Sequence, residues 1–441
     1  GPVGEPTGPR PVVSTGKGTR GSMTSQHLQL FLIGFALIIV LARALGHLAT
    51  RVHQPPVVGE IIAGILLGPT LAGGALSNAL FPDELRPVFA GLADIGVALF
   101  MFVIGMGVEE ERPLQGRGRV TVSAMVGSTV VPFLLAAAVA ATVLRHHGEG
   151  NLPAFVIFFA LAVSVTALPV LARILADRNI ATTDLGGIAL SVAAVADVVA
   201  WLALAGLQTW LIASGQLAQV ALILPYGLVM LFVVRPLLRR LLASDRLTTP
   251  LSARPFVVVL AGLLLSAAAT EAIGIHFIFG AFLFGLMMPR QNAVLRAALD
   301  ERIGNLTTIL LPVYFVVAGL KVDLSVLDLG RLGELAVILL VAVVGKFGGT
   351  YLGARLQGLA PRPASALGAL MNTRGLTELL ILGVGLELGL LNDTMYSLMV
   401  VMALVTTAMT GPLLSLVYRK PVEVTVRTRQ RRAPVMAGRR R

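Results

Sequence analysis

Residues 185–211 read LGGIALSVAAVADVVAWLALAGLQTWL, an almost wholly apolar run that contains a single charged residue, Asp197. About twenty consecutive apolar residues are enough for a helix to cross the hydrocarbon core of a bilayer. Similar runs recur from Leu28 to Val417, separated by short segments that carry Arg, Asp, Pro or Gly. The stretch and its repetition therefore predict an all-α polytopic membrane protein.

We predict about thirteen transmembrane helices, joined by loops that are too short to hold a soluble domain. The predicted spans are 28–48, 56–72, 88–108, 119–144, 153–175, 185–211, 217–241, 255–271, 275–289, 303–320, 333–356, 365–389 and 394–418. They form one transmembrane domain, residues 27–418. Residues 1–26 are expected to be a disordered tail or an added expression segment, and residues 419–441 a basic cytoplasmic tail.

The composition excludes several other classes of protein. Hydrophobic residues make up 56% of the chain and charged residues 13%, whereas a soluble domain has roughly a quarter of its residues charged. The absence of cysteine excludes disulfides, thiolate nucleophiles and cysteine-ligated metal sites. The net charge of +12 is spread over loops and tails, so we expect contact with a lipid bilayer and no nucleic-acid binding.

The distribution of basic residues predicts the orientation. An odd number of spans places the two termini on opposite sides of the membrane. The loops on the N-terminal side hold only four basic residues, Arg86, Arg145, Lys321 and Arg331, while the other loops are rich in arginine. Because basic loops stay in the cytoplasm, we expect a bacterial inner-membrane protein with its N-terminus outside and its C-terminus inside.

Two spans contain breaks. In the sequence SVTALP at 164–169, Pro169 lacks an N–H and crowds the carbonyl four residues earlier, so the helix should loosen near Val165. The twelfth span contains the polar sequence MNTRG at 371–375. Irregular backbone at membrane depth survives only inside protein or beside a wet cavity. We predict inverted repeats that pair spans four to six with eleven to thirteen; the alternative is two ordinary kinked helices.

Charged residues inside predicted spans mark candidate functional positions, because each costs about 2.5–3.5 kcal/mol at the membrane centre. These residues are Glu60, Asp94, Asp197, Glu271, Lys346, Arg374 and Glu378. Glu271 falls near a helix end. Glu60 and Asp94 are expected in the first turns of their helices, where a carboxylate suits the helix dipole and a structural role is favoured.

Asp197 is the strongest candidate for ion exchange. No other charge lies within ten positions on either side, and the neighbouring alanines allow close approach of another segment. Desolvation favours a protonated carboxyl group, whereas a nearby cation favours the carboxylate. Such a group can hold a proton or a dehydrated Na⁺ or K⁺ in turn. The alternative is a buried acid that is paired only for stability.

Lys346 lies in mid-span among glycines and needs an acidic partner, for which we expect Asp197, with Glu378 as the rival. A purely structural role for the lysine is the alternative. The hydroxyl groups of Ser164 and Thr166, with carbonyls freed near the first break, offer the hard oxygen ligands that suit alkali cations.

The second break contains polar residues expected to support it. Asn372 and Arg374 lie in it, and Arg374 is expected to balance the negative half-helix ends in this second break. Glu378 follows one turn later, at the spacing of a helical ion pair.

These motifs resemble those of the monovalent cation:proton antiporter family, which includes bacterial sodium/proton antiporters, potassium-efflux proteins and plant cation/proton exchangers. The matching stretches, in order, are Gln54–Pro69, Ser164–Leu175, Asp197–Trp201, Ile273–His276, Phe279–Phe282, Tyr314–Lys321 and Met371–Glu378. The plant exchanger-like branch is the most similar.

The resemblance implies a transporter and not an enzyme, with no cofactor and with H⁺ and Na⁺ or K⁺ as its cargo. It also implies that Asp197 is the shared proton and cation ligand, that Thr166 lies where two broken helices cross, and that Lys346 is the family's intramembrane lysine. The family's fold implies a mobile core domain that slides against a dimerisation domain, and therefore a homodimer.

One position departs from the family. Ala196 precedes Asp197 where the family usually has Asp, Asn or Gln, which favours electroneutral exchange or an altered choice of ion. The alternative function is an antiporter-like scaffold reused as a membrane-embedded enzyme or binding protein for a lipophilic small molecule. Ala196 and the Met-rich, aromatic stretch Phe277–Met288 motivate it. A channel is disfavoured, because nothing resembles a selectivity filter.

Overall fold

The structure is a computed structural model that describes residues 25–70, 74–107, 118–148, 150–181, 183–213, 217–242, 253–289, 292–325 and 327–418. This part of the chain is helical and contains no β-strand. The predicted tails lie almost wholly outside the described residues. So do several of the loop arginines on which the predicted orientation rests, including Arg112, Arg117 and Arg246.

Seventeen α-helices follow one another along the described chain. The first ten are α1 (Ser25–Arg51), α2 (Pro56–Leu67), α3 (Ala75–Leu80), α4 (Arg86–Gly107), α5 (Gly118–Thr142), α6 (Leu152–Ser164), α7 (Leu168–Asp177), α8 (Asp184–Ala213), α9 (Leu217–Val229) and α10 (Arg235–Leu242). The others are α11 (Ala253–Ile273), α12 (Phe277–Leu286), α13 (Ala293–Leu320), α14 (Leu329–Leu356), α15 (Pro361–Met371), α16 (Leu376–Glu387) and α17 (Asp393–Val417).

The helices agree with the predicted all-α membrane fold. Ten helical segments of the described chain are long and apolar enough to span a membrane, with the α6–α7 pair as one of them. Two shorter apolar helices, α2 and α12, lie at the second and ninth predicted spans. The twelfth predicted span is the pair α15 and α16. The exact count of thirteen stays a prediction.

Asparagine and aspartate side chains fix several helix starts by accepting a hydrogen bond from the first turn. Asn151, Asn292, Asp328 and Asn392 accept from the backbone N–H three residues later, at 3.1, 2.9, 2.8 and 2.8 Å. The cap at Asn292 explains why α13 begins at Ala293 and not at the predicted residue 303. The turns of α13 before residue 303 contain charged residues, so a search for uninterrupted apolar runs leaves them out although they are helical.

The helices pack in two groups. The panel consists of α1, α2, α4, α11, α12 and α13, and the core consists of α5 to α8 and α14 to α17. Each group takes helices from both halves of the chain, and both broken spans belong to the core. α9 and α10, with an intervening π-helical segment at Met230–Val234, lie between α8 and α11 in the chain.

Glycines bring α5 and α14 of the core together. A Cβ atom added at Gly349 of α14 would lie 2.1 Å from the carbonyl oxygen of Gly127 on α5. A Cβ at the adjacent Gly348 would meet no described atom within 4 Å. The two positions therefore form a matched pair, one at the helix contact and one beside it.

We expect Gly349→Ala to lower the stability of the protein by about 1–3 kcal/mol, because the new methyl group forces the two backbones apart. Gly348→Ala should leave stability unchanged or raise it slightly, since alanine favours helix over glycine. Thermal unfolding of the purified variants in detergent measures both. Equal unfolding temperatures for the two variants would contradict the close contact.

Candidate functional site

The two broken spans cross in the middle of the core. The first break comprises residues 165–167, between α6 and α7, and the second comprises residues 372–375, between α15 and α16. The backbone N–H of Ala167 donates to the carbonyl of Thr373 at 3.1 Å. The Thr166 hydroxyl donates to the carbonyl of Met371 at 3.2 Å. These contacts place Thr166 at the crossing.

The break in the first span begins where its proline predicts. α6 ends at Ser164, and Pro169 is the second residue of α7. At that position the missing N–H costs nothing, because the first amides of a helix have no partner within it. Proline therefore ends one half-helix and starts the next.

Lys346 of α14 is fully buried at this crossing. Its Nζ donates to the Ser164 carbonyl and to the Thr166 hydroxyl oxygen, both at 2.5 Å. Among the described residues it forms no ion pair with Asp197 or Glu378, so the predicted direct pairing was wrong. The ammonium group instead neutralises the carbonyl end of α6, where the helix dipole is negative.

Arg374 neutralises the other carbonyls at the end of α6. Its guanidinium donates to the carbonyls of Ala162 and Val163, at 3.1 and 2.6 Å. It also forms an ion pair with Glu378 at 3.0 Å, and both side chains have no exposed surface. The pairing with Glu378 one turn later agrees with the prediction, but the carbonyls that Arg374 neutralises belong to the first break and not, as predicted, to the second. Two cations thus satisfy the last three carbonyls of α6.

Two further polar residues support the second break. Asn372, which the sequence predicted, is buried and donates to the Gly368 carbonyl at 3.3 Å. Thr407 of α17 was missed: its hydroxyl accepts from the Arg374 backbone N–H at 2.9 Å and donates to the Arg374 carbonyl at 2.8 Å. A threonine in an apolar span gives no signal by itself, because its hydroxyl can bond its own helix equally well, as those of Thr406 and Thr410 do.

Asp197 lies on α8 beside the start of α7, with 4% of its surface exposed. Its carboxylate accepts a hydrogen bond from the backbone N–H of Leu168. Its Oδ1 atom has no hydrogen-bond partner within the described chain. The residue borders a cavity of about 450 Å³ that is otherwise lined by apolar side chains and Gly107, including Trp201 and Phe282. The carboxylate is thus partnered on one oxygen only.

The Ser164 hydroxyl group does not point to the crossing as a free ligand. It donates to the Leu161 carbonyl of its own helix at 2.8 Å, while the backbone carbonyl of the same residue accepts from Lys346. The oxygens that reach the crossing from this break are therefore a carbonyl and the Thr166 hydroxyl. Both are bound to Lys346 in this state.

The three peripheral acids differ in position. Glu271 lies near the end of α11, as predicted, and accepts from the Phe277 backbone N–H at 2.9 Å. Glu60 is the fifth residue of α2, beyond its first turn, and is buried, so its predicted first-turn placement was wrong. Asp94 is the ninth residue of α4, which begins at Arg86, so its predicted first-turn placement was wrong.

A second polar cluster joins the ends of core helices away from the crossing. The Nε2 atoms of His146 and His147 lie 3.1 and 3.0 Å from the carboxylate oxygens of Glu334. Burial lowers the pKa of His147, so its ring is neutral near pH 7. The spacing would suit a metal ion, but the Arg331 guanidinium lies 3.3 Å from His147 Nε2 and occupies that space. The cluster is therefore a hydrogen-bonded tie between helix ends.

A helical bundle in which two broken helices cross beside buried charges has the architecture of a secondary transporter. Residues 35–420 match the family model described as "Sodium/hydrogen exchanger, transmembrane". The chain belongs to this family. It is therefore a transporter and not an enzyme, and the alternative of a scaffold reused for lipophilic small molecules receives no support.

Named relatives come from bacteria, plants and yeast. The chain is 36% identical over 412 residues to the Na(+)/H(+) antiporter NhaS4 of Synechocystis sp., covering 90% of this chain and 100% of that protein. It is 34% identical to Cation/H(+) antiporter 17 of Arabidopsis thaliana and 32% identical to K(+)/H(+) antiporter 1 of Saccharomyces cerevisiae. These two alignments cover 95% and 90% of this chain, but only 52% and 47% of the two longer proteins.

The fold also matches a solved structure. The sodium proton antiporter MjNhaP1 of Methanocaldococcus jannaschii superposes with a TM-score of 0.61 over 88% of this chain and 99% of that chain. The sequences are 14% identical, so the comparison concerns the fold alone.

Proposed function

We propose that the protein exchanges a monovalent cation, Na⁺ or K⁺, for protons at Asp197. The observation that carries this proposal is the buried carboxylate with one unpartnered oxygen at the wall of a cavity. A carboxyl group so placed can bind a proton or a dehydrated cation, and binding of one excludes the other. No cofactor is needed for such competition, because the proton gradient drives the exchange.

Lys346 also competes with the transported cation for oxygen ligands. It holds the Ser164 carbonyl and the Thr166 hydroxyl, two of the hard oxygens available near Asp197. A cation that uses these oxygens must displace the ammonium group, because two positive charges would repel each other at this distance. We infer that Lys346 occupies the ligands in the cation-free state and withdraws when Na⁺ or K⁺ enters.

The direct test uses proteoliposomes with an acidic interior and a pH-sensitive dye. Addition of Na⁺, K⁺ or Li⁺ in separate experiments should cause proton efflux with at least one of the ions. Protein-free liposomes are the control. Absence of cation-dependent proton movement with all three ions, across the pH range in which the protein stays folded, would overturn the proposal.

Ala196 leads us to expect electroneutral exchange, one cation for one proton. A second carboxylate beside Asp197 would carry a second proton, and alanine carries none. Solid-supported membrane electrophysiology should therefore record no sustained charge movement after a jump in cation concentration, while the dye assay reports exchange. A steady transport current whose sign follows the cation gradient would contradict this expectation.

We further propose a homodimer in a bacterial inner membrane, with the N-terminus outside. The support is the panel of helices beside the core and the scarcity of basic residues in the loops that contain Arg145 and Lys321. Native mass spectrometry in detergent tests the stoichiometry. Protease accessibility of epitope tags on intact spheroplasts tests the orientation.

A further inference from the structure

One panel residue contacts two core helices on the side of the molecule where α4 begins. His276 precedes α12, and its Nε2 lies 3.1 Å from Oε2 of Glu387, the last residue of α16. The His276 backbone N–H also donates to Oε1 of Gln208 on α8, at 3.3 Å. α16 follows the second break and α8 carries Asp197. The panel is therefore tied to the two helices that hold the transport site.

The same side of the interface between panel and core is closed. The Tyr396 hydroxyl of α17 donates to the Ala318 carbonyl of α13 at 3.1 Å. The Ser397 hydroxyl oxygen accepts from the Asp323 backbone N–H at 3.1 Å. Beside these contacts a cavity of only about 60 Å³ touches α4 near Asp94. A larger cavity of about 630 Å³ lies on the same side, but it extends along α4 only from Arg86 to Ala90 and does not reach Asp94.

The other half of α4 borders open space. The cavity of about 450 Å³ at Asp197 touches this helix at Val103, Ile104 and Gly107. The small cavity reaches no farther along α4 than Val97. About 9 Å of helix therefore separates the two cavities at their nearest points. This state is open to Asp197 on the Gly107 side and closed on the Asp94 side.

We propose that His276 and Glu387 form a latch that closes the Asp94 side, an inference that rests on alternating access at Asp197. Any movement of the core that opens this side must separate the two side chains, because each belongs to a different group of helices. The Glu387 side chain is 59% exposed and the His276 side chain 11%. A pair this exposed contributes little free energy. It therefore shifts the equilibrium toward the state that is closed on the Asp94 side without stopping the transport cycle.

Because other charged residues lie near the latch, Glu387 is a better residue to change than His276. Asp94 and Lys321 line the same small cavity, and Glu271 lies near enough to act on Asp94 electrostatically. Glu387→Gln keeps the size of the side chain and removes the negative charge that faces His276 Nε2. Asp393→Asn is the matched control, because Asp393 is an exposed acid in the first turn of α17 and, within the described chain, forms no ion pair with His276.

The first experiment uses the natural absence of cysteine. Ala93→Cys places one thiol at a buried position that lines the small cavity. In the Glu387→Gln background, a membrane-impermeant maleimide should label this thiol about two- to fivefold faster than in the parent, as expected for loss of an exposed pair. The Asp393→Asn background should show the parent rate. Equal rates in all three would overturn the latch.

The second experiment holds the latch shut. The His276→Cys/Glu387→Cys double variant, treated with a short reducible thiol cross-linker, should lose cation-dependent proton exchange and regain it after reduction. The two single-cysteine variants should keep exchange under the same treatment. Full exchange by the cross-linked double variant would contradict the proposal. Because labelling needs no ion movement, failure of the proposed transport function would be seen separately, in the untreated parent.

Discussion

Proteoliposomes that contain the Asp197→Asn variant are expected to show no cation-dependent proton movement above that of protein-free liposomes. Asparagine has nearly the same shape as aspartate and can accept the hydrogen bond from the Leu168 backbone N–H. It cannot alternate between a neutral and a negative form. The variant should therefore fold normally and fail at the exchange itself, which dye-based flux measurements on monodisperse protein will show.

Asp184→Asn provides the matched control on the same helix. Asp184 is an exposed acid in the first turn of α8, far from the crossing. This variant should exchange at the parent rate. Asp197→Glu should retain part of the activity, because the cavity of about 450 Å³ accommodates one more methylene group. Exchange by Asp197→Asn at the parent rate would rule out this carboxylate as the shared ligand.

The sequence was informative wherever a local rule decides the structure. Pro169 located the first break, because a missing N–H and a ring clash act within one turn. Helical spacing predicted the pairing of Arg374 with Glu378, and the pair forms although Arg374 lies in the break, two residues before α16 begins. The single carboxylate in residues 185–211 indicated the candidate ion site, because a charge in an apolar span is costly.

Local rules could not identify the partner of Lys346. The prediction paired it with Asp197 because opposite charges attract, but the lysine instead binds oxygens 180 and 182 positions away in the chain. The carbonyl ends of a broken helix are strong acceptors that do not appear in a list of side chains. For the same reason the role of Thr407 was missed, since it depends on the meeting of α17 with the second break.

The charge balance at the crossing leads to the second large prediction, which concerns Arg374. Its guanidinium is the only partner that the structure gives to the Val163 carbonyl from outside α6 within the described chain, and it shares the Ala162 carbonyl with the backbone N–H of Val165, which lies 3.4 Å away. It also neutralises Glu378, which has no exposed surface. Arg374→Gln removes the charge and shortens the side chain. The buried Glu378 carboxylate and the Val163 carbonyl then lose their partner together, and the Ala162 carbonyl keeps only the long bond from the Val165 N–H.

We expect Arg374→Gln to destabilise the protein by about 3–5 kcal/mol, the usual effect of removing one member of a buried ion pair. Thermal unfolding in detergent measures this loss. Arg362→Gln is the control, because Arg362 is exposed on α15 of the same broken span and should change stability by less than about 0.5 kcal/mol.

The Arg374→Gln/Glu378→Gln double variant separates the two causes of the loss. It should recover part of the stability, because the unpaired buried carboxylate is gone, but not all of it, because the α6 carbonyls still lack the charged donor that Arg374 supplied. Full recovery would show that the ion pair alone mattered. An unfolding temperature of Arg374→Gln equal to that of Arg362→Gln would contradict the role of Arg374 as the residue that stabilises the crossing.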